Sequence, residues 1–263
     1  MMEMITGSTD KMLVRLRLFV LTLVFLLPTW ETHASVLNVP EDLTARSWLV
    51  ADADNKILAS KDTATVRPIG SITKIMTVLT VLESRPMMDQ HLTYSKKLRL
   101  TRQELIEITL VRSDNHASDI LCTNYFGGYK KCIEAMNQLA QKYGLENTRF
   151  ADASGISAGN VSTAEDLLKL LAIAEKNYLV VDAASKTNVT IKNKKKWLIF
   201  KQTNPLIGHK HKFIVSKTGT TNAAGGCIIL TVETERGLRR VVVLGSKNGK
   251  TRIPEAEFIY NIN

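Results

Sequence analysis

Ser71 and Lys74 stand three residues apart in the run Gly70-Ser71-Ile72-Thr73-Lys74. On a helix that spacing puts both side chains on one face. An amine there can take the serine proton and leave an oxygen able to attack a carbonyl. Two further short segments follow in order, Ser113-Asp114-Asn115 and Lys217-Thr218-Gly219. They add a second hydroxyl, an amide and a second amine. A free lysine, with a pKa of about 10.4, is almost wholly protonated at neutral pH. Lys74 can act as a base only if it is desolvated or set beside another positive charge. Lys217 is the candidate for that charge, and the Ser113 hydroxyl can relay protons between the two amines. A serine in a first helical turn also lies among unpaired N–H groups at the positive end of the dipole. Its own N–H can therefore serve as one oxyanion donor.

Singly, these segments say little. Ser8-Thr9-Asp10-Lys11 repeats the spacing of the first, and Ser246-Lys247-Asn248 that of the second. Their joint order is more specific, because the first opens a helix, the second falls between helices and the third ends a strand. Other chemistries find less support. The five histidines form no ligand cluster, with His209-Lys210-His211 reading as a solvated loop pair, and no Cys-x-x-Cys spacing occurs. No metal and no cofactor are expected.

The positioning elements follow from hydrophobic period. Ser47–Asp52 and Lys56–Ser60 are short apolar runs around Ala53-Asp54-Asn55, a hairpin. From Ser71 the apolar residues Ile72, Ile75, Met76, Leu79 and Leu82 recur at helical spacing behind Pro68 and Gly70. Further helices are predicted over about 102–111, 115–126, 129–143 and 163–175, which makes 100–175 read as wholly helical. Strands return over 187–192 and 197–201, with the polar tip Asn193-Lys194-Lys195-Lys196 between them, and again over 212–217, 226–233 and 238–245. A closing helix can follow Arg252. This is an α+β pattern: a sheet drawn from about 35–70 and 180–263, and a helical lobe of about 71–179 inserted between its parts.

Of the 263 residues, 44% are apolar, enough for a real core in one domain over 35–263. Lys11, Arg15 and Arg17 flank the apolar run 18–28, which Thr32-His33-Ala34 follows. That order describes a signal peptide over 1–34, cleaved after Ala34. At roughly a dozen residues the run is short for a membrane span, which needs about 20. An uncleaved anchor is the alternative. The leader's three basic residues balance Glu3, Asp10 and Glu31, so the remainder keeps the net charge of +10. A basic exported protein meets cell-wall polymer, lipid headgroups or stray nucleic acid. Cys122 lies five residues before Gly127-Gly128 and Cys132 four after it. In an antiparallel helix pair the two come level, which predicts a Cys122–Cys132 disulfide and a free, buried Cys227.

With these residues in view, the sequence resembles the low-molecular-mass penicillin-binding proteins, and within them the shorter D-alanyl-D-alanine endopeptidases. The likeness runs from about Trp48 to Phe258. Besides the three segments it includes Val66–Lys74, Gly127–Lys131, Asn147–Phe150, Asn160–Ala164 and Lys217–Gly225. The resemblance implies a β-lactamase/transpeptidase-like fold, a mostly antiparallel sheet with helices on both faces and a helical lobe beside it. It implies Ser71 as nucleophile, Lys74 as base, and Ser113 and Asn115 as proton relay and substrate-amide holder. Lys217, Thr218 and Gly219 would meet the substrate's carboxylate side. Thr220 and Ser71 would supply the oxyanion amides, and Arg252 would help hold the terminal carboxylate.

The implied substrates are peptidoglycan stem peptides and cross-links in the periplasm, with β-lactams as covalent inhibitors. DD-endopeptidase is the first reading and DD-carboxypeptidase the second. With the sequence ending at Asn263, the tail domain and membrane-binding helix of the longer carboxypeptidases are not expected. A class A β-lactamase would need Glu-x-x-Leu-Asn after the second segment, and Glu165-Asp166-Leu167-Leu168-Lys169 lacks the asparagine. A penicillin or peptide sensor on the same fold would tolerate loss of Lys74 or Lys217, yet both are present. Nucleic-acid binding is weaker still, because Lys194–Lys196 has only Trp197 beside it as a stacking aromatic.

Overall fold

The computed structural model describes residues 43–262, so the predicted leader lies outside the described residues. The chain begins with β1 (Ser47–Ala51) and β2 (Ile57–Lys61), joined by a turn in which Asn55 has a φ of 63°. β3 (Arg67–Pro68) leads through a 3-10 turn, Gly70–Ile72, into α1 (Thr73–Glu83). A small hairpin follows, β4 (His91–Ser95) and β5 (Leu98–Thr101). Next come α2 (Arg102–Val111), α3 (Asn115–Thr123) and α4 (Gly128–Lys142). After a long loop, β6 (Val161–Ser162) pairs with β3 and precedes α5 (Ala164–Ala174) and α6 (Tyr178–Ser185). The hairpin of β7 (Asn188–Asn193) and β8 (Lys196–Lys201) is next. β9 (Lys212–Thr221), β10 (Gly225–Thr234), β11 (Gly237–Ser246) and α7 (Arg252–Tyr260) complete it.

The main sheet has the order β2-β1-β11-β10-β9 and every neighbouring pair is antiparallel. Its central strands are apolar on both faces, as a sheet covered on both sides requires. On β1, β10 and β11, Leu49, Ile229, Val242 and Leu244 join the core shared with α1 to α6. Val50, Ile228, Leu230, Val241 and Val243 point the other way, onto Ala256, Ile259 and Tyr260 of α7. The α+β architecture, with helices on both faces and a helical insertion, is therefore present.

Three expectations need correction. Residues 144–163 are not helical. Their Asp, Asn and Ser side chains bond the backbone in place of a helical ladder: the Asn160 amide oxygen accepts from Ala151 N, and the Ser157 hydroxyl accepts from Gly159 N. The segment from 180 onward does not all join the main sheet. Its start is α6, capped by Asn177, and β7–β8 forms a separate two-stranded sheet. The β4–β5 hairpin was not anticipated, since its short strands are largely exposed and carry little period.

Local signals elsewhere agree with the fold. Thr101 and Glu104 form a reciprocal capping box on α2. Thr163 caps α5 through Asp166 N, and Glu165 accepts from the Thr63 hydroxyl. Cys122 on α3 and Cys132 on α4 are joined by a disulfide with Cα atoms 5.3 Å apart, and Cys227 is free and buried. The bridge ties together two helices that enter a left-handed turn at Gly127 and Gly128. It closes a loop with a sequence separation of 10. Replacing both residues, Cys122→Ala with Cys132→Ala, is expected to lower unfolding stability by about 2–3 kcal/mol in urea melts. An unchanged midpoint would show that packing alone holds the two helices.

Candidate active site

Gly70 has a φ of +54°, which turns the chain sharply ahead of Ser71, and the Thr73 hydroxyl donates back to Gly70 O at 2.8 Å. Ser71 consequently sits in a tight 3-10 turn just before α1 rather than in the helix's own first turn. The three-residue spacing still brings the side chains together. Lys74 Nζ donates to Ser71 Oγ at 2.8 Å and to Asn115 Oδ1 at 2.7 Å. Its third donor goes to the carbonyl oxygen of Ser154. Lys74 is fully buried on α1, a helix with apolar neighbours on all sides.

The second segment reaches the site through strained backbone. Ser113 has a φ of 60°, unusual for a residue with a side chain. Asp114 then caps α3 by accepting from Ala117 N at 2.8 Å, which fixes Asn115 at the start of that helix. Lys217 on β9, 1% exposed, donates to Ser113 Oγ at 2.8 Å and to Thr218 O at 2.9 Å.

Close backbone contact joins the two halves. A side-chain carbon at Gly219 would lie 2.9 Å from Ser71 N and 2.7 Å from Ile69 O. One at Gly155 would lie 2.0 Å from Gly70 O, and one at Gly70 would come 3.2 Å from Thr220 N. Only glycine permits this approach, which brings the amides of Ser71 and Thr220 to the same wall. The 152–157 loop is held by Asp152, whose carboxylate accepts from the N–H groups of Ser154, Gly155 and Ser157.

Ser71, Ser113, Asn115, Thr218, Gly219, Thr220 and Arg252 line one cleft of about 230 Å³, together with Thr203. Arg252 is buried and donates through Nη1 to Gly219 O at 2.7 Å and to the Thr220 hydroxyl, while its Nε has no partner. The structure thus collects every site residue named from the sequence, with Lys74 and Lys217 beneath the cleft floor. It adds two. Thr203 bonds the Thr218 hydroxyl at 2.7 Å, and the Ser154 carbonyl holds Lys74. A lone threonine and a backbone oxygen carry no sequence signature. Asp152-Ala153-Ser154-Gly155 marks only a turn.

Burial pushes the Lys74 amine down to about 8, and the charges of Asp152, Asp119 and Asp114 limit the fall. Lys217 is lowered well below its ordinary value by burial first, then by the charges of Lys74 and Arg252. Desolvation is thus the chief cause for both amines, and the repulsion between them bears on Lys217. A hydroxyl bonded to an amine titrating near neutrality, beside two convergent amides, can be acylated and deacylated.

Fold and site together define a serine hydrolase. The chain belongs to the Peptidase_S11 family, described as D-alanyl-D-alanine carboxypeptidase, whose model matches residues 33–98 and 87–248. It is 35% identical over 241 residues to a D-alanyl-D-alanine endopeptidase of Escherichia coli, covering 82% of this chain and 77% of that one. A D-alanyl-D-alanine endopeptidase of Pseudomonas aeruginosa is 33% identical, with 84% and 77% covered. Among solved structures, a DD-transpeptidase of Streptomyces superposes with a TM-score of 0.77 at 26% identity, covering 83% of this chain and 96% of that one. A penicillin-binding protein of Listeria monocytogenes in its ampicillin-bound form gives 0.75 at 26% identity, with 82% and 96% covered.

With the Lys74 amine titrating near 8, about a tenth of it is neutral at pH 7. The rate of Ser71 acylation should therefore rise about tenfold per pH unit on the acid side and level off above about pH 8. Stopped-flow acylation by a fluorescent penicillin at varied pH checks this, and a flat profile from pH 6 to pH 9 would count against Lys74 as the base.

Proposed function

We propose that the protein cleaves D-alanyl bonds in peptidoglycan through an acyl-enzyme on Ser71, acting first as a DD-endopeptidase on cross-links. The observation that carries this reading is the 2.8 Å bond between Ser71 Oγ and a fully buried Lys74 amine. Ser71 Oγ attacks the D-alanyl carbonyl carbon as Lys74 Nζ takes its proton. The Ser71 and Thr220 amides receive the negative charge that develops on the carbonyl oxygen. The proton passes by the Ser113 hydroxyl, held by Lys217, to the departing amine, and water then releases the acyl group. Asn115 orients both Lys74 and the substrate amide. β9 is an edge strand of the sheet, so an extended stem peptide can pair along it. Lys217, Thr218 and Arg252 place positive charge and hydroxyls where the carboxylate beside the departing amine would lie.

The endopeptidase preference rests on the relatives of 35% and 33% identity, both endopeptidases by name. Carboxypeptidases of Bacillus subtilis and Escherichia coli are 28% identical. Export to the periplasm follows from the predicted leader. Among the described residues no helix is long and apolar enough to cross a membrane.

Digestion of purified cross-linked muropeptides tests the reading: dimers should fall to monomers faster than pentapeptides lose their terminal D-alanine, and the reverse order would make it a carboxypeptidase. Arg252→Ala should raise KM on muropeptides by about tenfold or more if its charge-assisted contact is worth about 1.5–3 kcal/mol. An unchanged KM would remove Arg252 from substrate binding.

Penicillin should form a lasting ester on Ser71, because the described residues lining the cleft include no carboxylate to drive water onto it. Ser71→Ala should abolish labelling, and Lys74→Ala should slow acylation by at least about 10²-fold with the fold intact. Intact-mass spectrometry checks both. An adduct on another residue, or clearance within seconds, would point to a different nucleophile or a β-lactamase.

A further inference from the structure

The β7–β8 hairpin has one face the fold uses and one it does not. Val189 and Ile191 are buried inward. The outward positions pair Lys192 with Trp197, Thr190 with Ile199 and Asn188 with Lys201. Trp197 and Ile199 are each 62% exposed, and Lys192 Nζ lies 5.9 Å from the Trp197 ring. Around the tip stand Lys194, Lys195 and Lys196, and Lys97 from the β4–β5 turn lies against them. Lys96 is exposed beside Lys97. Between Asp182 and Glu233 the chain has no acidic residue. No ion pair among the described residues involves any of these lysines.

We propose that this face docks the protein on an anionic phospholipid surface, with Trp197 and Ile199 at headgroup level and the lysines over the phosphates. Charge complementarity requires an anionic partner, and the apolar pair selects among anions. An indole and a branched aliphatic within a lysine cluster match the bilayer interface, where tryptophan concentrates and each nearby lysine adds attraction. A polymer of sugars or nucleotides offers Ile199 nothing, and a nucleic acid would find a single stacking ring. The hairpin springs from the catalytic cleft, since Thr203, two residues past β8, lines it.

The test uses processed protein recovered from the periplasm and co-sedimented with vesicles of phosphatidylglycerol and phosphatidylethanolamine. Changing Lys194, Lys195 and Lys196 together to Gln should weaken vesicle binding on the order of a hundredfold. Trp197→Ala should weaken it about tenfold. Vesicles should also shift tryptophan emission to the blue in the parent but not in Trp197→Ala, since Trp48 is already buried. Penicillin labelling should be equal in all three proteins, separating this inference from the catalytic reading. Binding equal in parent and variants would overturn it, because a surface other than the hairpin would then carry the contact. Hairpin-dependent retention on purified peptidoglycan, with none on vesicles, would overturn it too.

Discussion

Two primary amines are held out of water within one cleft, and among the described residues neither touches a carboxylate. Lys74 is surrounded by a hydroxyl, an amide oxygen and a carbonyl, and Lys217 by a hydroxyl and a carbonyl. Neutral oxygens stabilise an ammonium ion less than a paired carboxylate would, and burial removes the water that would do the rest. The result is an amine that gives up its proton near neutral pH. Direct contact with Asp152, Asp119 or Asp114 would restore the charge. They stay outside hydrogen-bonding reach and only moderate the effect.

Much of the backbone exists to place those oxygens. The positive φ of Ser113 turns its hydroxyl toward Lys217, while Asp114 anchors the next helix. Asp152 gathers three N–H groups so that the Ser154 carbonyl faces Lys74. The glycines at 70, 155 and 219 let three backbone segments meet at distances no side chain would allow. At these strained or glycine-only positions stability is traded for geometry.

The sequence was informative where chemistry and period coincide. The Ser71, Ser113 and Lys217 segments, the helix over 102–111, the strands of the carboxyl-terminal half and the Cys122–Cys132 pair could all be read before any coordinates. Each depends on residue type at a fixed spacing. What could not be read depends on backbone. α6 is apolar and β-branched enough to resemble the strand beside it. The loop over 144–163 owes its order to side-chain bonds to the backbone, which leave no period. Lys74 is lowered by burial rather than by the charge of Lys217, and burial depends on how far α1 sinks into the core.

The central pairing of the sheet sets a timetable for activity. Ser47 pairs with Leu244, so the two ends of the chain must meet before β1 and β11 exist as neighbours. β9, which carries Lys217, Gly219 and Thr220, reaches the rest of the sheet only through β10 and β11. Pairings across almost the whole chain form late and slowly compared with local helix contacts. A polypeptide still being synthesised can close its helix pair, yet it lacks the strand that completes the surroundings of Ser71. Hydrolytic competence therefore arrives only when β9, β10 and β11 have all taken their places in the sheet.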